Sequence, residues 1–303
     1  MNIIELTDIT KTFGSVVAVN KLSLSVPKGS IYGFIGPNGS GKTTTIRMIM
    51  KIFYPDSGDI KIRGLAQNGD RLENVGYLPE DRGLYKKMKV RDVLLFHGEL
   101  NGGTNLQQKT DTWLKRLDLY DFAGKKVETL SKGMKQKLQF IATVMNEPEL
   151  IILDEPFGGL DPVNAEILKD SILELQKKGS TIIFSTHDMS VAEKMCDNIF
   201  MIYKGEKVLD GTLSEIQDQY GSDTIVVQTA LGEAALKGIK GIQHINNYGK
   251  VQEIKLEENA DPQKILAEIM KHTSISKFEI TRPSLNDIFI RIAAPERKEV
   301  NHA

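Results

Sequence analysis

The 303-residue sequence is poor in cysteine and has no excess of either charge. Cys196 is the only cysteine, which excludes an internal disulfide and is typical of proteins from a reducing compartment such as the cytosol. The 39 basic and 40 acidic residues leave a net charge of −1. Nucleic-acid-binding proteins usually carry a basic excess, so we expect no nucleic-acid partner.

Long apolar runs are also missing. No stretch approaches the roughly 20 apolar residues that a helix needs to span a bilayer. Residues 1–14 lack the basic-then-apolar order of a signal peptide. The sequence therefore predicts a cytoplasmic protein that neither crosses the membrane nor is exported. The residues that are present, 40% hydrophobic and 26% charged, are ordinary for a globular protein with a sizeable core.

Short β-rich runs alternate with helical patterns over the first two-thirds of the chain. Apolar residues at spacings of three and four through residues 46–53 predict one of these helices. Strand–helix alternation favours an α/β fold with a largely parallel sheet covered by helices. A helix-rich insert is predicted at about residues 90–146. The β-rich runs are residues 3–6, 30–35, 151–153, 181–185 and 199–202.

The pattern changes near residues 220–223. Beyond this point it predicts strand, helix (residues 231–238), strand, strand, helix and strand, which is the ferredoxin-like β-α-β-β-α-β order of a small α+β domain. A closing helix is predicted at residues 283–292. The predicted domains are residues 1–220 and residues 221–294, followed by a loose polar tail at residues 295–303.

One glycine-rich segment matches the pattern G-x-x-x-x-G-K-[ST], after an apolar strand and before a helix. Glycines let backbone N–H groups point inward, and these donors act with the helix dipole to hold phosphates. A chance match is expected in about 1% of random chains of this length. We therefore predict a nucleoside triphosphate site in which Lys42 reaches the β- and γ-phosphates and Thr43 ligates Mg²⁺. The nucleotide-binding residues are Gly36, Pro37, Asn38, Gly39, Ser40, Gly41, Lys42, Thr43 and Thr44.

Two adjacent carboxylates follow the apolar run at residues 151–153. Burial does not explain them, because unpaired charges are costly at the end of a buried strand. Asp154 is expected to hold Mg²⁺, directly or through water. Glu155 is the candidate general base for the water that attacks the γ-phosphate.

His187 ends another strand, which is predicted to neighbour the strand before Asp154. A lone histidine after a strand is more often a capping or packing residue than a catalytic one. Here its expected position favours contact with the γ-phosphate and orientation of the attacking water.

With Leu130-Ser131-Lys132-Gly133-Met134-Lys135-Gln136, the sequence resembles the nucleotide-binding subunits of ABC transporters over residues 1–220. This segment is similar to the family's signature loop, Leu-Ser-Gly-Gly-Gln, with Lys132 in place of the first glycine and Met134 in place of the glutamine. The resemblance implies a P-loop NTPase fold of the ABC type. It also implies that Ser131 and Gly133 contact ATP bound to a partner subunit, which is compatible with helix capping by Ser131.

Three more positions take roles from the resemblance. Asp161 ends a Gly-Leu-Asp loop similar to the one that crosses the family's dimer interface, although Gly158 replaces the usual serine. Phe13 stands where the family stacks an aromatic ring on adenine; a core or turn aromatic is the alternative. Glu80 stands where transporter ATPases commonly have a glutamine that contacts Mg²⁺. It is expected to be either a metal ligand or a surface charge.

The segment Glu80-Asp81-Arg82-Gly83-Leu84-Tyr85 and the appended domain look most like bacterial ABC-2-type export ATPases, and more narrowly a branch associated with sodium extrusion. The resemblance implies an ATPase on the inner face of the membrane that works as a homodimer or heterodimer and drives a separate integral membrane permease. The resemblance also implies that residues 81–93 lie where the family receives a coupling helix from its permease.

Two other functions remain open at this point. One is a soluble ABC-type ATPase in translation or DNA repair, although such proteins typically carry twin cassettes or a long coiled coil in one chain. The other, compatible with transport, is regulation by a C-terminal domain that senses a small molecule or an ion.

Overall fold

The computed structural model describes residues 1–66, 72, 74–81, 83–220, 224–257 and 260–299, and the side chains through residue 293. The chain forms two compact units, Met1–Thr212 and Leu213–Ala303. The first unit thus ends before the boundary expected near residue 220, because the helix that precedes this boundary belongs to the second unit. Arg82, residues 221–223 and residues 300–303 of the predicted tail lie outside the described residues.

The first unit alternates strands and helices, as the sequence predicts. In chain order it contains β1 (Asn2–Phe13), β2 (Val16–Pro27), β3 (Ile31–Ile35), α1 (Lys42–Ile49), β4 (Ser57–Ile62), β5 (Leu65–Ala66), β6 (Val75–Leu78), α2 (Val90–Leu100), α3 (Leu106–Arg116), 3-10 helices at Tyr120–Phe122 and Val127–Thr129, α4 (Lys132–Val144), β7 (Leu150–Asp154), α5 (Pro162–Lys177), β8 (Thr181–Thr186), α6 (Met189–Met195), β9 (Asn198–Tyr203) and β10 (Glu206–Gly211).

The central sheet has the strand order β10-β9-β3-β8-β7-β6 and is parallel except for β10 at one edge. Its strands β3, β7 and β8 are buried along their whole length, as expected for parallel strands that are covered on both faces. The predicted parallel sheet is confirmed. Because parallel strands share a carboxyl edge, the residues after β3, β7 and β8 meet at one place.

A second, antiparallel sheet has the order β2-β1-β4-β5. Of these strands, the sequence analysis predicts only residues 3–6 of β1. Register shifts interrupt the pairing of β1 with β2, for example between Leu6 and Ile9, and such irregularities break the alternating pattern that identifies a strand.

Helices α2, α3 and α4 lie where the sequence predicts a helix-rich insert. They share one buried apolar cluster, in which the rings of Trp113 and Phe140 meet edge to face with their centroids 6.1 Å apart. Helix α4 runs from this cluster back to β7, so it links the insert to the strand that carries Asp154.

The second unit contains α7 (Leu213–Tyr220), β11 (Thr224–Thr229), a 3-10 helix (Gly232–Leu236), β12 (Ile242–Asn247), β13 (Gln252–Leu256), α8 (Pro262–His272), β14 (Ile275–Thr281) and α9 (Leu285–Glu299). Its sheet is antiparallel with the order β12-β13-β11-β14. This is the predicted ferredoxin-like arrangement.

Three helix predictions differ from the structure. Helix α1 ends at Ile49 rather than near residue 53, because Lys51 adopts a left-handed conformation (φ 57°) and Ile52 N–H bonds to the Arg47 carbonyl in a Schellman cap. The predicted α-helix at residues 231–238 is the short 3-10 helix, bracketed by positive-φ Gly232 and Gly238.

The third difference is at the C-terminus, where α9 continues to Glu299 instead of giving way to a tail at residue 295. The residues after Pro295 are good helix formers, and their propensity outweighs the helix-breaking effect of the proline.

Phe140→Ala tests the packing of the helical insert. Phe140 is fully buried, so its truncation leaves a cavity and is expected to lower the free energy of unfolding by about 3–5 kcal/mol. Chemical denaturation followed by tryptophan fluorescence measures this, since Trp113 is the only tryptophan and contacts Phe140. Tyr54→Ala is the control, because Tyr54 is 69% exposed. Equal stability of the two variants would contradict the assignment.

Candidate functional site

The glycine-rich loop connects β3 to α1 and packs closely on its neighbours. A Cβ atom at Gly36 (φ 148°) would lie 2.2 Å from the Ile202 carbonyl oxygen, and one at Gly41 (φ 113°) would lie 2.6 Å from the Ala18 carbonyl oxygen. Both positions therefore require glycine for their backbone conformation and for the close approach. The loop is held between the end of β9 and the start of β2.

Lys42 is folded into this loop. Its side chain is 5% exposed, and its ammonium group donates to the carbonyl oxygens of Gly36 (2.8 Å) and Pro37 (3.1 Å). Burial lowers the pKa of Lys42, while the nearby carboxylates of Glu155, Asp154 and Glu80 oppose this shift. The charge is thus held at the centre of the loop, where an anion can reach it.

Asp154 ends β7 with no exposed surface. Its Oδ1 accepts hydrogen bonds from the hydroxyls of Ser185 (2.5 Å) and Thr43 (3.3 Å), while its Oδ2 is buried without a partner among the described residues. A buried carboxylate oxygen without a partner is costly unless a cation binds it. Thr43 and Asp154 therefore fit a Mg²⁺ ion.

The set of donors also suits this metal. No group of three or more His, Cys, Asp or Glu side chains in the described ranges could hold a metal ion. Mg²⁺ does not depend on such a group, because it is usually bound by one or two carboxylates together with phosphate oxygens and water.

Glu155 follows Asp154 in a left-handed conformation, with φ of 50°. Such a φ is uncommon for a residue with a long side chain, and strained residues cluster at functional sites. Its Oε1 lies 2.9 Å from Nδ1 of His187. An ionised carboxylate can only accept, so Nδ1 carries the proton in this contact.

Ser185 links the carboxylate of Asp154 to the backbone of Glu155, a role that sequence analysis misses. Its hydroxyl donates to Asp154 Oδ1 and accepts from the backbone N–H of Glu155 at 3.0 Å. The parallel register of β7 and β8 places Asp154 opposite Ser185. Only this pairing, which the sequence does not state, could have indicated the serine.

A cleft of about 510 Å³ adjoins these residues. It brings together predicted residues from the glycine-rich loop, the hydrolysis pair, the signature-like segment and the position of the unusual glutamate. Its lining residues are Asn38, Glu80, Asp81, Lys132, Gln136, Glu155, Gly158, Gly159 and His187.

Ser131, Gly133 and Asp161 are not among the residues that line this cleft. Ser131 caps α4 by accepting from the N–H of Met134 at 3.2 Å, and Asp161 caps α5 by accepting from the N–H of Asn164 at 3.0 Å. Both caps are exposed. The structure therefore confirms the capping role of Ser131 and places these residues at two helix N-termini beside the cleft.

Phe13 ends β1 and is 44% exposed. Its ring meets that of Phe53 edge to face at 5.3 Å, and the Lys11 ammonium group lies 5.6 Å from its centroid. The hairpin that carries it contacts the glycine-rich loop through Ala18. The exposed ring of Phe13 is therefore not part of the core.

Comparison with known protein families gives two matches, one for each of the two structural units. The profile of the ABC transporter family matches residues 19–158, and that of the ATP-binding protein DrrA1-3-like C-terminal domain matches residues 211–293. The ABC transporter ATP-binding protein YhaQ of Bacillus subtilis (strain 168) is 41% identical over 284 residues, which cover 93% of this chain and 95% of that protein. This chain belongs to the ATP-binding subunits of ABC transporters.

Other relatives of this ATP-binding subunit have more specific names. The linearmycin resistance ATP-binding protein LnrL of Bacillus subtilis is 31% identical and covers 94% of this chain and 96% of its own length. The Nod factor export ATP-binding protein I of Burkholderia lata is 31% identical and covers 98% of each chain. A solved ATP-binding subunit of an ABC transporter matches at a TM-score of 0.68 and 29% identity, over 72% of this chain and 93% of that one.

These comparisons confirm the P-loop ABC ATPase fold and the main functional prediction. Subunits of this family bind ATP, hydrolyse it to power transport, dimerise and work with membrane permeases. The relatives favour transport over an ABC-type ATPase in translation or DNA repair. None of the helices in the described ranges has the length and apolar character to cross a membrane.

The ABC ATPase has a second groove, of about 700 Å³, beside the strand that precedes Glu80. It is bounded by β6, α2 and the second half of α4, and includes exposed Leu100 and buried Gln139. The groove has both apolar and polar walls. Its principal lining residues are Tyr77, Pro79, Leu84, His97, Leu100, Gln139, Thr143 and Asn146.

Ser185→Ala is expected to lower kcat for ATP hydrolysis by about 10–100-fold, the usual cost of removing a group that orients a metal-binding carboxylate. The methyl side chain neither donates to Asp154 nor accepts from Glu155. A steady-state phosphate-release assay measures the change, and Ser180→Ala is the control, since Ser180 is also buried but its hydroxyl donates to the Pro148 carbonyl. Unchanged turnover in Ser185→Ala would rule out this orienting role.

Proposed function

We propose that Glu155 is the general base of ATP hydrolysis and that His187 orients both this base and the attacking water. The chain of contacts from Thr43 through Asp154 and Ser185 to Glu155 and His187 supports this proposal. It connects the phosphate-binding loop with a carboxylate that lines the adjoining cleft.

The environments of the two adjacent carboxylates suggest different roles. Asp154 is fully buried and is bound by two hydroxyls, which suits a fixed negative charge. The left-handed turn at Glu155 directs its side chain into the cleft, where the side chain is 16% exposed. A carboxylate beside a solvent-accessible cleft can take a proton from water, whereas the buried one balances a cation.

We infer that Mg²⁺ is held by Thr43 and Asp154. When bound, the ion supplies positive charge that neutralises the β- and γ-phosphate oxygens. The unpartnered Asp154 Oδ2 supports this assignment. Glu80 lines the same cleft and is a further candidate ligand, as its oxygen chemistry allows.

We further propose that the site is completed by a second subunit, in a homodimer or a heterodimer. Residues 36–44 would hold ATP, with Phe13 stacked on its adenine. Ser131, Gly133 and Asp161 would face ATP on the other subunit. Their location at or beside exposed helix N-termini, outside the lining of the cleft, supports this division, because helix N-termini favour anions.

The direction of transport is proposed to be export, from the inner face of the membrane. The resemblance to ABC-2-type ATPases and the Nod factor export relative support this direction. Sodium as cargo, and regulation through the second unit, remain predictions.

Glu155→Gln is expected to bind ATP while lowering kcat about 100- to 10,000-fold, since the amide keeps the shape but loses the basicity. Lys42→Ala is the contrasting variant, because it removes the phosphate clamp and should lose ATP binding. Equilibrium binding of a fluorescent ATP analogue and phosphate release separate the two defects. Near-normal turnover by Glu155→Gln would overturn the general-base assignment.

We propose that the 700 Å³ groove receives a cytoplasmic segment of the permease. It adjoins Leu84, within the segment of residues 81–93 that resembles the permease contact of the family. Leu100 is 54% exposed on its wall, at the end of α2. An apolar side chain with this exposure is available to a partner.

Leu100→Glu is expected to reduce the fraction of the ATPase retained on native membranes several-fold, because the new charge would have to be desolvated in the contact. Leu65→Glu is the matched control, since Leu65 is 73% exposed but lies on β5, outside the groove. Sedimentation of membranes followed by quantitative immunoblotting measures the retained fraction. The same loss for both variants, or for neither, would count against the groove.

A further inference from the structure

The 700 Å³ groove has an uncharged lining that contains buried polar atoms without partners. Among its described lining residues there is no aspartate, glutamate, lysine or arginine. His97, Gln139 and Asn146 all belong to this lining, and the atoms His97 Nε2, Gln139 Oε1 and Asn146 Oδ1 are buried without a hydrogen-bond partner among the described residues. Because a buried polar atom without a partner is costly, three of them in one groove indicate a ligand that forms hydrogen bonds.

The chemistry of these atoms specifies a ligand that donates. Asn146 Nδ2 donates to the Gly98 carbonyl at 3.1 Å, which fixes the orientation of the amide and leaves Oδ1 to accept. A Cβ atom at Gly103 would lie 2.3 Å from this Oδ1, so only glycine leaves room for it. Gln139 is 6% exposed, and its Oε1 is also an acceptor. Burial lowers the pKa of His97, so its neutral ring keeps one accepting nitrogen.

The groove also has apolar walls, which include Leu84 and the exposed Leu100. A side chain with an apolar stem and a donor-rich end would match both parts of the groove. Arginine has this form and carries more N–H donors than any other side chain. Its guanidinium is more weakly hydrated than the ammonium group of lysine, so it is less costly to place among neutral acceptors. The amide of asparagine or glutamine has too few donors for three acceptors.

We propose that the permease segment that docks in this groove inserts one arginine side chain. Its stem packs against Leu84 and Leu100, and its guanidinium donates to Gln139, Asn146 and His97. The inference rests on the proposed docking of the permease in this groove, and it adds the chemistry by which the groove selects the segment. Since the three acceptors are neutral, the strength of the contact depends on the charge at their positions.

Gln139→Glu has an effect whose direction depends on the occupant. Glutamate keeps the shape of glutamine and adds a negative charge, and a guanidinium binds a carboxylate more strongly than an amide. The fraction of the full-length ATPase retained on native membranes in about 500 mM salt is therefore expected to rise about three- to tenfold. The assay is run at about pH 8 to ionise the new carboxyl group. A neutral or acidic side chain in the groove, or water alone, predicts equal or lower retention.

Gln139→Leu removes the acceptor and is expected to lower the retained fraction about three- to tenfold. Gln108→Glu and Gln108→Leu are the matched controls, because Gln108 is exposed on α3 and is not among the residues that line the groove. Neither control is expected to change retention. Thermal unfolding of each variant verifies that it is folded.

The native chain allows a second measurement that needs no variant. Nα-acetyl-L-arginine methylamide, titrated into the full-length chain without membranes, is expected to bind at least about threefold more tightly than its lysine counterpart. NMR should show the largest shifts at the side-chain amides of Gln139 and Asn146. Equal binding of the two compounds, absence of binding, or shifts confined to other residues would overturn the arginine assignment.

Failure of this inference is distinguishable from failure of the proposed docking. If the groove does not receive the permease, Leu100→Glu and its control Leu65→Glu give the same retention. If the groove receives a different side chain, Leu100→Glu still lowers retention but Gln139→Glu does not raise it. The two glutamate variants have opposite expected effects because a carboxylate at position 100 would lie beside the apolar stem, whereas one at position 139 would meet the guanidinium.

Discussion

The site depends on one buried carboxylate at the edge of a parallel sheet. Asp154 has no exposed surface, and its stability in that position comes from the hydroxyls of Ser185 and Thr43. Ser185 belongs to β8 and Thr43 to the first turn of α1. By bonding to both, the carboxylate of Asp154 fixes the position of this strand relative to this helix. The second carboxylate oxygen, Oδ2, has no hydrogen-bond partner among the described residues and could bind a cation. A neutral or longer residue at this point would disrupt the proposed link between the metal-binding carboxylate and the glycine-rich loop.

The same arrangement explains how the proposed general base can be the residue directly after Asp154. Glu155 leaves the strand through a left-handed turn, and its N–H is held by the same serine that holds Asp154. Two adjacent carboxylates in regular β-structure would point to opposite faces of the sheet. The turn instead keeps the second one at the carboxyl edge, beside His187. The strained backbone of Glu155 is thus what allows the two proposed roles, cation binding by Asp154 and proton transfer by Glu155, to fall on adjacent residues.

Local chemistry made much of this predictable from the sequence. The proposed roles of residues 36–43 and of the pair Asp154–Glu155 follow from short contiguous motifs, and the alternation of strands and helices predicts the parallel sheet. Ser185 could not be predicted, because its role comes from the register between β7 and β8. The presence of Lys132 and Glu80 on the lining of one cleft likewise depends on packing between segments far apart in the chain. The Schellman cap at Lys51 and the continuation of α9 through Pro295 depend on local energetics that apolar spacing does not report.

The contacts of Lys42 have a consequence for how quickly the subunit can respond to nucleotide. Its ammonium group already rests on the carbonyl oxygens of Gly36 and Pro37, and glycine at positions 36 and 41 fits the loop tightly against β9 and β2. In the proposed binding mode, the arriving triphosphate therefore replaces the carbonyl partners of Lys42 and does not have to order a flexible segment. Little conformational entropy remains to be lost on binding, so the pocket is preorganised and encounter with ATP need not wait for the loop to fold.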